Sequence, residues 1–121
     1  MSRNVLVVDD SPSMRQMVSF TLRQSGFEVV EGADGKQGLA AAQANKVDLV
    51  ISDLNMPEMD GIEMIRQIRG LPAYKFTPIL MLTTESREEK KQAGKAAGAT
   101  GWLVKPFDPE RLMQVVGKVL P

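Results

Sequence analysis

Asp9, Asp10, Asp53, Thr83 and Lys105 are the residues of this chain that carry chemistry, and each stands at the end of an apolar run. Val5-Leu6-Val7-Val8 stops at Asp9-Asp10, Leu49-Val50-Ile51-Ser52 at Asp53, Ile79-Leu80-Met81-Leu82 at Thr83, and Trp102-Leu103-Val104 at Lys105. If those runs are parallel strands of one sheet, three carboxylates, a hydroxyl and an ammonium share one crevice. Two adjacent acids before a helix have a plain reading as capping residues favoured by the helix dipole. Three together repel one another unless a cation neutralises them. A divalent ion and the Lys105 ammonium would balance three carboxylates, and the hard oxygen donors favour Mg2+. Asp53 has its own plain reading as a turn-capping residue. A carboxylate is also a nucleophile toward phosphorus, and such a step needs alignment and cations more than covalent help. Thr83 is placed to donate a hydrogen bond to a phosphoryl oxygen. Pro106 restricts Lys105 to extended backbone, which would hold its ammonium over the strand ends.

Composition narrows the field. The chain has 121 residues, 43% of them apolar, and reads as one domain over 1–121 with an ordinary core. With no cysteine and no histidine, disulfides, thiol or imidazole catalysis and Cys- or His-ligated metal are excluded. Fifteen basic and fifteen acidic residues sum to zero, which argues against a nucleic-acid binder or a polybasic membrane protein. The start Met1-Ser2-Arg3-Asn4 has no signal-peptide shape, and no apolar run is long enough to cross a bilayer. The expected location is the cytoplasm.

The elements that must position these residues alternate along the chain. Ser11-Pro12 starts a helix whose stripe is Met14, Met17, Val18 and Leu22, closed by Gly26. A second strand spans Phe27 to Glu31, and a turn at Asp34-Gly35 leads to a helix over about 36–44. The third strand runs from Val47 to Ser52, the loop 55–61 follows, and Ile62, Ile65 and Ile68 mark the third helix. Pro78 opens the fourth strand. The next helix, about 87–97, has only Ala93, Ala96 and Ala97 as apolar side chains and contains Gly94, at a cost of roughly 0.5–1 kcal/mol against alanine, so it should be the least firmly held. The fifth strand is Gly101 to Val104, and Leu112, Val115, Val116 and Val119 stripe the last helix. Five β units alternating with five α units predict an α/β doubly wound parallel sheet with helices on both faces and strands that read as continuous apolar runs. Ligands of such sheets bind outside the carboxyl ends of the strands.

The motifs Val7-Val8-Asp9-Asp10-Ser11, Asp53-Leu54-Asn55-Met56-Pro57-Glu58-Met59-Asp60-Gly61, Leu82-Thr83 and Lys105-Pro106-Phe107 cover the whole chain. They resemble the receiver domains of bacterial two-component response regulators, and among these the single-domain chemotaxis members. The resemblance implies a flavodoxin-like (βα)5 fold with strand order 2-1-3-4-5. It implies that Asp53 accepts a phosphoryl group from a phosphohistidine on a partner kinase. Asp10, Asp53 and the backbone carbonyl of Asn55 would ligate Mg2+, with Asp9 acting through water. Thr83 and Lys105 would bind phosphoryl oxygens, and the Lys105-Pro106 bond would be cis. Asn55 and Glu85 would flank the route of water to the aspartyl phosphate, although both also read as ordinary loop polars. Trp102 stands where an aromatic residue turns inward on activation. Tyrosine or phenylalanine is more usual there, so the larger indole implies a partial switch, and its plain reading is a cover for the sheet edge.

The expected output is protein binding by a stand-alone, monomeric signalling switch. Its face would be the last two helices and the fifth strand, around Lys90, Lys91, Lys95, Trp102 and Lys118. The flagellar motor switch is the expected partner, and a phosphatase belongs to the same picture. The alternative is a phosphate sink or relay receiver in a non-flagellar pathway. A Mg2+-dependent phosphatase would carry a second acid where this chain has Asn55, and a flavin module would need a hydroxyl-rich loop where it has Asp9-Asp10.

Overall fold

A computed structural model describes residues 3–120; Met1, Ser2 and Pro121 lie outside the described residues, and with them the first two residues of the polar start. The apolar runs form five parallel strands: β1 Asn4–Val8, β2 Glu28–Gly32, β3 Leu49–Ser52, β4 Ile79–Thr83 and β5 Gly101–Val104. Their order is β2-β1-β3-β4-β5. Five helices connect and cover them: α1 Pro12–Gln24, α2 Gly35–Ala44, α3 Gly61–Arg69, α4 Glu88–Ala97 and α5 Pro109–Val119, with a short 3-10 turn at Pro72–Tyr74. This is the flavodoxin-like doubly wound arrangement that the resemblance implied.

Alternate strand residues feed two cores, as parallel strands covered on both faces require. Leu6, Val8, Val50, Ile79 and Met81 point to the side of α2 and α3, where Met64, Ile65 and Ile68 are fully buried. Val5, Val7, Leu49, Ile51, Leu80 and Leu82 point to the side of α1 and α5, against Val18, Leu22, Leu112 and Val116. Each such side chain contributes about 1.5–3 kcal/mol by leaving water. The continuous burial expected of every strand holds for the central β1, β3 and β4. The edge strands differ: β2 and β5 are half-exposed because each has one neighbour.

Local signals set most helix starts. Ser11, Asp34, Asp60 and Asp108 each accept a backbone N–H of the following turn at α1, α2, α3 and α5, a contact typically worth about 1 kcal/mol. Asp34-Gly35 is therefore a cap and first helical residue, not a free turn. At α4 the N-cap position is Arg87, which makes no side-chain cap bond. The Pro72–Tyr74 turn has no counterpart in the sequence reading. It aims the Tyr74 hydroxyl, 3% exposed as a residue, at the Ala42 and Asn45 carbonyls that end α2. The stripe expected for α1 also shifts: Met17 is 46% exposed, and Ser19 is buried in its place. β3 begins at Leu49 rather than Val47, because Val47 donates its N–H to Tyr74 instead of to a strand.

Candidate phosphoryl-accepting site

Register brings the reactive residues together. Val8 pairs with Ser52 and Ser52 with Met81, so Asp9 and Asp53 leave adjacent strands side by side. Thr83 pairs with Val104, which places Lys105 one residue beyond the sheet. Lys105 Nζ reaches the Oδ2 atoms of both Asp9, at 3.1 Å, and Asp53, at 3.2 Å. Its side chain is 11% exposed, so this is a shielded three-membered charge cluster rather than a solvated surface pair. The Lys105-Pro106 bond is cis.

The remaining carboxylate oxygens are also held. Asp9 Oδ1 accepts the Ser11 N–H at 2.9 Å, and Asp53 Oδ1 accepts the Leu54 N–H at 2.7 Å. The Asp9 carbonyl takes an Arg15 guanidinium N–H at 2.6 Å, a contact that sequence reading missed. Gly61 fixes Asp53 from below: its N–H bonds the Leu54 carbonyl at 2.8 Å, and a Cβ there would lie 2.2 Å from the Asp53 carbonyl oxygen. Only glycine permits that approach. Gly35 does the same for the loop, where a Cβ would meet the Met59 carbonyl at 2.3 Å, and Lys36 pairs with Glu58 at 3.2 Å.

Both Asp9 and Lys105 are pushed upward, for different reasons. Burial raises the Asp9 carboxyl above its usual range, outweighing the Ser11 N–H and the Lys105 ammonium that favour its charged form. Burial pulls Lys105 down, but the Asp53 and Asp9 carboxylates together outweigh it. The cluster is thus short of positive charge, which is the condition for taking up a cation. Asp10 is exposed and makes no hydrogen bond or ion pair among the described residues. One carboxylate oxygen from each of Asp9, Asp10 and Asp53 lies within 4.8 Å of the others, and this hard-oxygen donor set fits Mg2+. Asn55 is exposed on the loop after β3, two residues from Asp53.

On the β4 side the hydroxyl of Thr83, a fully buried residue, accepts the Glu85 N–H at 3.2 Å, leaving its own proton to donate. The Glu85 carbonyl accepts the Trp102 indole N–H at 2.9 Å. Thr83, Glu85 and Trp102 therefore form one chain of contacts from the crevice to β5. The indole rests on α4, where a Cβ at Gly94 would lie 2.6 Å from the ring. Lys91, Lys95 and Trp102 share a depression of about 300 Å3, while Lys90 is half-buried outside its lining and Lys118 is exposed on α5. The Glu85 carboxylate is pushed down to about 2 by Arg87.

Comparison with known proteins agrees with this geometry. The model of the response regulator receiver domain matches residues 5–117. The crystal structure of Vibrio cholerae chemotaxis protein CheY4 is 57% identical, with a TM-score of 0.95 over 99% of this chain and all of that one. A response regulator protein from Burkholderia multivorans is 45% identical, with a TM-score of 0.83 over 100% and 97% of the two chains. The alkaline phosphatase synthesis transcriptional regulatory protein PhoP of Bacillus subtilis is 36% identical over 99% of this chain, which spans 49% of that relative's length. The chain belongs to the response regulator receiver domain family.

Proposed function

We propose that this chain is a response regulator receiver domain in which Asp53 accepts a phosphoryl group from a phosphohistidine on a partner kinase. The observation that carries the reading is the Lys105 ammonium bridging the Asp9 and Asp53 carboxylates at 3.1 and 3.2 Å, at strand ends where a third acid stands free. Asp53 Oδ2 attacks phosphorus, the bond to the donor nitrogen breaks, and the electron pair leaves with the imidazole. Lys105, already at that oxygen, neutralises charge on the transferred group. Thr83 donates its spare proton to a second phosphoryl oxygen. Asp10, Asp53 and the Asn55 carbonyl would hold Mg2+, with Asp9 acting through water, and the ion would supply charge neutralisation of the phosphoryl oxygens. The Leu54 N–H on its carboxylate and the close approach of Gly61 to its carbonyl keep the buried Asp53 aligned while water is partly excluded.

The output follows from Thr83. Drawing its hydroxyl toward the phosphoryl group breaks the Glu85 N–H contact, shifts the Glu85 carbonyl and releases or redirects the Trp102 indole. The face of α4, β5 and α5, with Lys90, Lys91, Lys95 and Trp102, then binds its partner. Similarity to a chemotaxis protein at 57% identity supports the flagellar motor switch as that partner. The test is labelling with acetyl phosphate and Mg2+. The wild type should gain one phosphoryl group at Asp53 and Asp53→Asn none; label retained in Asp53→Asn would remove Asp53 from the mechanism.

A further inference from the structure

Glu85 follows the crevice residue Thr83 by two positions, yet its carboxylate is taken up by Arg87. Arg87 grips it three times: through its backbone N–H at 3.1 Å, Nε at 2.9 Å and Nη2 at 3.0 Å. The Glu85 side chain is 12% exposed and that of Arg87 61%, so the guanidinium lies over the carboxylate like a cover open to solvent. In the unphosphorylated chain the Glu85 N–H sits on Thr83 Oγ1, which places the residue next to the strand end that faces the crevice. The side-chain torsions of Glu85 set where its carboxylate points, and here Arg87 holds it at the start of α4. A bidentate guanidinium contact is the kind that decides such a choice, and lysine cannot reproduce its fork.

We infer that Arg87 is a positioning residue that lengthens the life of the phosphorylated state by holding the Glu85 carboxylate away from the crevice. The inference rests on the reading of Asp53 as phosphoacceptor and deepens it. In the step concerned, a water oxygen bonds to phosphorus and the bond between phosphorus and Asp53 breaks. The electron pair returns to the Asp53 carboxylate and inorganic phosphate leaves. The water must also lose a proton. Gripped by Arg87, Glu85 is a weak acceptor for it; released, the carboxylate turns toward the water and becomes a stronger one.

The experiment labels the protein with acetyl phosphate and Mg2+, removes the donor, and follows loss of label with release of inorganic phosphate. Arg87→Ala should lose its label about tenfold faster than the wild type, below the ~10²-fold of a fully placed general base. Arg87→Lys should fall between the two. Glu85→Gln should remove the effect, so that Arg87→Ala changes nothing when added to it, as expected for a residue acting only through another. A labelled Arg87→Ala variant with unchanged or longer lifetime would overturn the inference. So would an acceleration that persists in the Glu85→Gln background, since that marks a general loosening of the loop. Failure of the wild type to take label at all contradicts the phosphoacceptor reading itself, and the role of Arg87 with it.

Discussion

The two sides of the crevice are built differently. On one side, β1 and β3 are buried on both faces and α3 seats Met64, Ile65 and Ile68 at 0% exposure under the strand ends. On the other, α4 buries only Gly94, starts without a side-chain cap and leans on half-buried Ala93 and Ala97. Packing energy is concentrated where Asp9 and Asp53 must keep their positions. It is thin at α4, the helix beside Glu85 and Trp102, which the proposed switch would move together with Thr83. A few kcal/mol are enough to shift a two-state element, so the weakly held side is the one that an added phosphoryl group can move.

Two core substitutions sharpen this contrast most strongly. Ile68→Ala, in the well-packed side, should cost about 2–5 kcal/mol of unfolding free energy. Ala97→Gly, in α4, should cost only about 1 kcal/mol. Chemical denaturation measures both, and equal losses would mean that α4 is as firmly held as α3.

Gly94→Ala separates stability from the position of the indole. Alanine favours the helix by roughly 1 kcal/mol, but its Cβ would sit 2.6 Å from the Trp102 ring. The ring must therefore leave its seat and its bond to the Glu85 carbonyl. Denaturation midpoints should change little, while resting Trp102 emission moves toward that of a solvent-exposed indole. Unchanged emission would show that the ring does not depend on the glycine.

The smallest effect concerns pH. Glu85 is held at about 2, well below its usual 4.5, by Arg87. For an acid with a depressed folded pKa, the stabilisation is present above the unfolded value and is lost as pH falls through the folded one. The difference in thermal midpoint between wild type and Arg87→Ala should thus be constant above about pH 4.5 and shrink toward pH 2. A difference that grows on acidification would contradict the sign.

The well-packed side is also the side that sequence revealed. Strands buried on both faces must be continuous apolar runs, so β1, β3 and β4 announced themselves, and each run's end marked a site residue. The edge strand β2 and the start of β3 were less legible, because Val47 answers to the Tyr74 hydroxyl across 27 residues of chain. Gly94 read as a defect in α4; it is the seat of Trp102, a relation between a helix and a strand that periodicity does not carry. The grip of Arg87 on Glu85 was hidden for a similar reason. Two charged residues at i and i+2 in a loop give no signal of the rotamers that join them.

The central claim is that chemistry at Asp53 is felt at Trp102, the only tryptophan. Its emission should be followed while Mg2+ and then beryllofluoride, a phosphoryl mimic, are added. The account predicts a saturable change that needs both additions and is absent in Asp53→Asn. Emission that stays at its resting value in the wild type, with beryllofluoride bound at Asp53, would contradict it.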